Sequence, residues 1–246
     1  VTHPRKAARG SVEKLTGAER AAAVRDVFSR IAPRYDLMNR IMTGGMDRQW
    51  RRYAIRKAAI PRGGRMLDIA TGTGDLAFEA LAQVEGVTAV GADFVPTMMT
   101  VGQRRPNGER VRWVAADALN LPFADSSFDA VTHGFLVRNV IDIGRAFAEQ
   151  WRVLKPRGHV VCLDTTPPPD NVLRPFLLFY LTRVIPLIGT LLTGHRDAYT
   201  YLPNSTVGFK TPDALADLMC GAGFVEVGYR RFMFNTIAIH WGTKPG

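Results

Sequence analysis

Hydrophobic and polar positions along this 246-residue chain change period several times, and each change marks an element. Between residues 65 and 164, short apolar runs alternate with stretches whose apolar residues recur every three or four positions. The runs at 66–70, 87–92, 110–115, 128–134 and 159–164 read as strands, and 143–154 reads as a helix closed by Lys155-Pro156-Arg157-Gly158. Such alternation predicts a parallel sheet covered on both faces. Upstream, 19–31 and 46–59 carry the helical period, joined by the irregular segment Pro33-Arg34-Tyr35-Asp36-Leu37-Met38-Asn39. Downstream, 211–222 reads as a helix ended by Gly221 or Gly223, and 225–231 with 234–241 as a closing antiparallel pair. No internal repeat is present.

Two segments stand outside this alternation. Residues 1–17 are polar and basic with few apolar anchors, which predicts a disordered tail. Residues 18–246 then form a single domain, with a helical cap at 18–60 and an apolar insertion at 165–206. The core of that insertion, VLRPFLLFYLTRVIPLIGTLLT at 172–193, is long enough to raise a membrane span. Arg174 and Arg183 lie inside it, and Pro175, Pro186 and Gly189 interrupt it, so a span is set aside. The alternatives are a buried core helix and, preferred here, a lid over an apolar substrate pocket that touches a bilayer interface.

The most specific chemistry lies at 66–75, Met-Leu-Asp-Ile-Ala-Thr-Gly-Thr-Gly-Asp, a strand running into a glycine turn. Gly72, Thr73 and Gly74 allow backbone N–H groups to approach a ligand at the start of a helix. Gly72, Gly74 and Ala77 also fit a dinucleotide fingerprint, so glycines alone do not choose the ligand. The carboxylates do. Asp68 and Asp75 flank the place where a pyrophosphate would sit, and like charges there are unfavourable. A ligand with an amino group and no phosphate suits the turn better, and S-adenosylmethionine is one. Asp93, nineteen residues beyond Gly74, stands where a ribose-binding acid belongs. Asp117-Ala118 follows the third strand and is placed for an adenine edge, and Gly134 leaves room for the methionine end.

Composition narrows the setting. At 46% hydrophobic the chain suits one α/β domain with a sizeable core. Cys162 and Cys220 fall in strand and helix patterns and read as buried thiols, with no disulfide framework and no metal site. No apolar N-terminal run resembles a signal peptide, which makes the cytoplasm the expected location. The net charge of +10 is uneven: residues 1–65 hold 16 of the 32 Lys and Arg but 5 of the 22 Asp and Glu. That points to an anionic membrane surface or to nucleic acid, or to no more than a solvated basic face.

Several separated motifs resemble one family. Tyr35-Asp36-Leu37-Met38-Asn39 with Gly45 and Trp50, Leu136-Val137-Arg138-Asn139-Val140, Arg152-Val153-Leu154-Lys155-Pro156, and Asp197, Tyr199 and Tyr201-Leu202-Pro203-Asn204-Ser205 carry the resemblance. The chain is similar over residues 20–244 to the UbiE/MenG-like quinone C-methyltransferases of ubiquinone and menaquinone biosynthesis. It departs from their pattern at Asp47 (usually His), Leu136 (Gly), Arg157 (which interrupts Gly-Gly) and Asp164 (Glu). None of these removes the glycine turn or the Arg-Asn pair.

The resemblance implies a Rossmann-like class I methyltransferase fold, a seven-stranded, mostly parallel sheet with an antiparallel last strand. It implies S-adenosylmethionine as cofactor and a lipophilic prenylated hydroquinone as acceptor, at the inner face of the membrane. A homodimer is compatible with it. Methylating a ring carbon requires electron density from a ring hydroxyl, and ionising a phenol of pKa near 10 at neutral pH costs about 4 kcal/mol. By analogy Arg138 stabilises the phenolate, Asn139 orients the ring oxygen or a water, and Tyr35 and Asp36 relay the proton. Tyr199, Tyr201 and Ser205 are expected to line the quinone pocket, with an aromatic core cluster as the alternative; His133 is expected to be a core histidine. The acceptor ring stays open between a naphthoquinol and a methoxybenzoquinol, demethylmenaquinol being expected in a host that makes only menaquinone.

Two other classes compete. A nucleic-acid methyltransferase accounts for the charge, yet the basic segment lacks interleaved stacking aromatics. A non-catalytic module binding an NAD-type ligand is disfavoured by Asp68 and Asp75.

Overall fold

The computed structural model describes residues 15–194, 199, 201 and 205–246. Most of the basic tail (1–14), Asp197 and the Leu202-Pro203-Asn204 part of the tyrosine motif lie outside the described residues. Five parallel strands, β1 (Arg65–Ile69), β2 (Thr88–Asp93), β3 (Val111–Ala115), β4 (Phe128–Gly134) and β5 (Leu154–Thr165), are joined by β6 (Val225–Phe232) and β7 (Ile237–Thr243). The order is β3-β2-β1-β4-β5-β7-β6, and β7 runs antiparallel to both neighbours. This is the sheet expected for the class.

The helices are α1 (Gly17–Ile31), α2 (Tyr35–Thr43), α3 (Asp47–Lys57), α4 (Asp75–Gln83), α5 (Pro96–Gln103), α6 (Ile143–Val153), α7 (Arg174–Phe179), α8 (Ile185–Thr193) and α9 (Pro212–Gly221). Two sequence-local caps fix their ends: Asp142 accepts from the Arg145 N–H before α6, and Thr211 from the Ala214 N–H before α9. The central strands are buried on both faces. Leu67, Val90, Val131 and Val160 pack with Phe147 on one side, while Met66, Ala130 and Val161 pack with Trp50 and Ile55 on the other. Strand order reverses direction between β1 and β4, so a crevice opens at the carboxyl ends of those two strands. Every element carrying an expected cofactor residue ends there.

Four local expectations change. The irregular Pro33–Asn39 stretch contains a 3₁₀ turn (Ala32–Arg34) followed by α2, which Gly44 ends in a left-handed conformation, φ 58°. β5 begins at Leu154, five residues early, because its pairing with β4 shifts register between Phe128 and Ala130 and absorbs the Pro156-Arg157 kink. β7 begins at Ile237, since Met233, Phe234 and Asn235 all take positive φ and form the turn. Cys220, expected to be buried, is exposed on the outer side of α9, whereas Cys162 is buried.

Residues 174–193 of the apolar insertion are helical. α7 passes through a π-helical turn (Tyr180–Val184) into α8, and Gly194 ends it at φ 77°. Its prolines do not break it. Pro175 and Pro186 occupy first-turn positions of α7 and α8, where the missing N–H is least costly, and the π turn takes up the interruption before Pro186. The stretch Arg174–Leu192 is long and apolar enough to cross a membrane by length and composition alone, and only 11% of it is buried, which excludes a core helix.

Candidate active site

β1 delivers its chain into a turn built on left-handed residues: Ala70 (φ 52°), Gly72 (φ 57°) and Gly74 (φ 89°). A Cβ at Gly74 would stand 2.6 Å from Cη2 of Trp113, so glycine is required there on two counts. Asp68, buried in β1, accepts from the Thr71 hydroxyl at 2.6 Å and the Thr132 hydroxyl at 3.0 Å. Burial pushes its carboxyl up to about 7 against those two hydrogen bonds. Asp93, at the end of β2, accepts from the N–H groups of Gly72 and Val95, each at 2.7 Å. Burial raises it to about 6, with the backbone donors opposing. Asp117 accepts from the Leu119 N–H at 2.9 Å.

Three connected hollows follow from this framework. The first, about 150 Å³, is lined by Gly72, Asp93, Met98, Asp117, Ala118 and Gly134. The second, about 40 Å³, is lined by Asp68, Thr71, Gly72, Thr73 and Asp75 together with Tyr35 and Asn39 of α2. The third, about 110 Å³, is walled by Trp50, Arg138, Tyr180, Leu181, Ile185 and Thr206. Tyr35 and Phe135 line all three. Phe135 holds this place with a positive φ of 60°, a strained conformation for an aromatic residue.

Arg138 follows β4, and its Nη1 donates to Asp164 Oδ1 on β5 at 2.5 Å; both side chains are buried. The guanidinium lies 4.9 Å from the centre of the Phe135 ring, and its Nε has no hydrogen-bond partner among the described residues. Asn139 donates to the Phe135 carbonyl at 2.7 Å and accepts from the Tyr201 hydroxyl at 2.6 Å. Burial pushes the Tyr35 phenol up, while Asn39, Arg138 and Arg51 pull the other way. It therefore stands as a hydrogen-bond donor at neutral pH.

The structure places Tyr35 with Arg138 in the third hollow and with Asn139 in the first, but turns Asp36 elsewhere. Its carboxylate accepts from the Thr73 hydroxyl at 2.6 Å and pairs with Arg105 at 3.2 Å, facing the glycine turn rather than the third hollow. Burial, and then Asp75, raises its pKa against Thr73 and Arg105. Tyr201 braces Asn139, and Tyr199 packs with Val27, Ile31 and Met38 in a small core of its own. From the Ser205-Thr206 pair it is Thr206 that enters the wall of the third hollow. His133 is a core residue: fully buried beside Gln150 and Phe147, its imidazole is held neutral, down to about 3, chiefly by burial. Phe135, Arg51 and Arg105 were not singled out by the sequence. Among the described residues no cluster of metal-ligand type occurs.

This fold with an acid-rimmed glycine turn defines a class I methyltransferase, and it aligns with a SAM-dependent methyltransferase from Thermotoga maritima at TM-score 0.62 and 20% identity, covering 89% of this chain and 98% of that one. The profile of the ubiE/COQ5 methyltransferase family matches residues 15–244, and the chain belongs to that family. It is 48% identical over 221 residues to the ubiquinone/menaquinone biosynthesis C-methyltransferase UbiE of Desulfotalea psychrophila, spanning 90% of each chain. It is 46% identical over 228 residues to the demethylmenaquinone methyltransferase of Roseiflexus sp., covering 93% of this chain and 96% of that one. The protein is an S-adenosylmethionine-dependent methyltransferase of quinone biosynthesis.

Proposed function

We propose that the protein methylates a ring carbon of a prenylated hydroquinone, with demethylmenaquinol as its acceptor, while resting on the inner face of the membrane. The observation that carries this is the junction at Tyr35 and Phe135. There the acid-rimmed hollows meet an apolar one whose buried cation is Arg138.

S-adenosylmethionine suits the first two hollows and supplies an electrophilic methyl on a sulfonium. Asp93, already pinned by two N–H donors, has lone pairs left for ribose hydroxyls, and Asp68 offers a carboxylate to an ammonium. In the third hollow the ring is held against Phe135. Arg138 stabilises the developing phenolate through the donors that Asp164 leaves free. Tyr35 donates to the ring oxygen, while Asn139, held by Phe135 and Tyr201, lines the first hollow. With the ring hydroxyl's proton passed to water, the ring carbon would form its bond to the methyl as the carbon–sulfur bond breaks and S-adenosylhomocysteine leaves. The proton on that carbon would then pass to water and the ring oxygen regain one, restoring the aromatic hydroquinone.

The elements whose inner faces line the third hollow turn large apolar side chains outward. These are Leu37 and Ile41 on α2, Phe176 (72% exposed), Phe179 and Leu191 (76%) on the α7–α8 helix, and Phe234 (65%) in the β6–β7 turn. Such a ring suits entry of a long-tailed substrate from a lipid surface.

The test is methyl transfer from labelled S-adenosylmethionine to reduced demethylmenaquinol, a methoxybenzoquinol and RNA in parallel. Transfer to the naphthoquinol at the highest kcat/KM supports the reading, and transfer to RNA alone overturns it.

A further inference from the structure

Asp36 and Arg105 belong to one continuous chain of charges wrapped around the glycine turn. Arg105 Nη1 lies 3.2 Å from Asp36 Oδ2, 2.7 Å from Asp75 Oδ1 and 3.0 Å from the Thr73 carbonyl. Asp75 continues to Arg51 at 2.7 Å, and Arg51 to the buried Asp47 at 2.7 Å. Thr73 itself donates to Asp36 at 2.6 Å. Four separate segments thereby meet: α2 gives Asp36, α3 gives Asp47 and Arg51, the glycine turn and α4 give Thr73 and Asp75, and the loop after α5 gives Arg105.

The consequence is steric. Tyr35 and Asn39, the neighbours of Asp36 on α2, line the 40 Å³ hollow together with Asp68, Thr71, Gly72 and Thr73. A ligand end seated there lies against α2, and any movement of α2 away from it breaks the contacts of Asp36 with Thr73 and Arg105.

We propose that the Asp36–Arg105 pair is a latch that holds α2 over the methionine end of the cofactor and sets how fast cofactor and demethylated product exchange. Asp36 and Arg105 are then positioning residues, and Asp36 serves the turn rather than the acceptor. The proposal rests on the reading that this hollow takes S-adenosylmethionine. The paired side chains keep about a quarter of their surface in water (27% and 26%), so salt screens the pair. A role in packing alone does not respond to salt.

The experiment measures the dissociation rates of S-adenosylmethionine and S-adenosylhomocysteine from the full chain and from Asp36→Asn, Arg105→Met, Arg105→Lys and the Asp36→Asn/Arg105→Met double variant. Asp36→Asn is nearly isosteric and keeps an acceptor for Thr73; thermal melts confirm that each variant is folded. Each single variant should release both ligands about tenfold faster, the double variant no faster than Arg105→Met, and Arg105→Lys at an intermediate rate. The unaltered chain should release them faster as salt rises, and Arg105→Met should show a weaker salt dependence. In turnover, KM for the cofactor should rise by a larger factor than kcat falls. Unchanged release rates, additive effects or a salt-independent parent rate overturn the latch while leaving the cofactor assignment intact. Failure of the unaltered chain to bind S-adenosylmethionine overturns both.

Discussion

Arg138 and Asp164 meet 2.5 Å apart, buried, where β4 and β5 end side by side. Asp164 is the only carboxylate in contact with Arg138 among the described residues, and its second oxygen, Oδ2, accepts from the Arg138 backbone N–H at 3.4 Å. Removing one partner of a buried pair strands the other charge, which costs on the order of 3–5 kcal/mol. Asp164→Asn is therefore expected to lower stability by about that amount in urea unfolding. Arg138→Lys keeps a charge but loses the planar fork, and should lower kcat by roughly 100-fold with little change in cofactor affinity. Isothermal titration alongside turnover assays separates the two effects.

The buried acids make binding and stability depend on pH. The folded-state value of Asp68, about 7, lies above that of an unfolded Asp, because burial favours the neutral form. The fold therefore binds this proton more tightly than the unfolded chain. Stability is greatest below about pH 4 with respect to this group and falls as pH rises toward 7. Asp93 adds the same sign up to about 6. Asp68→Asn should flatten part of that slope in melts across the range. A cofactor ammonium favours ionised Asp68, so binding should release a proton below about pH 7. Calorimetry in two buffers of different ionisation enthalpy measures that release directly.

Gly74 tests the turn itself. Its φ is 89°, and an added Cβ would meet the Trp113 ring at 2.6 Å, so Gly74→Ala must move either the backbone or the indole. A cost of about 1–3 kcal/mol is expected, together with a marked loss of S-adenosylmethionine affinity. Melting and binding titrations of the same sample read both.

The apolar ring around the third hollow should behave as a lipid contact. Phe176→Ser with Leu191→Ser is expected to reduce co-sedimentation with anionic vesicles and to raise KM for a long-tailed quinol. KM for the cofactor should stay level. A water-soluble, short-tailed acceptor should be methylated at close to the parent rate, because these side chains face outward (72% and 76% exposed).

Much of the fold was legible in the chain because strand runs and helical periods are local signals. The glycine turn with Asp68 and Asp93 was legible because glycine and acid at strand ends have few other uses. Elements set by long-range contacts were not. α2 hides behind Pro33 and too few turns to show a period, and β5 starts at Leu154, which pairs with Phe128 ahead of a Pro-Arg-Gly stretch that reads as a turn. Cys220 has helical spacing, yet periodicity does not say which face looks inward. Arg51 and Arg105 are two arginines among many, and Arg105 finds Asp36 and Asp75 from 69 and 30 residues away in sequence. Phe135 reads as an ordinary apolar residue, and only its backbone angle reveals that it is held in place between the hollows.

The most direct test of quinol C-methylation is to supply S-adenosylmethionine bearing a labelled methyl group with reduced demethylmenaquinol and to locate the label by mass spectrometry and NMR. Label is expected on the ring carbon of menaquinol, with the Arg138→Lys product greatly diminished. Label on a ring oxygen, or equal turnover by the parent and Arg138→Lys, would contradict the proposed chemistry.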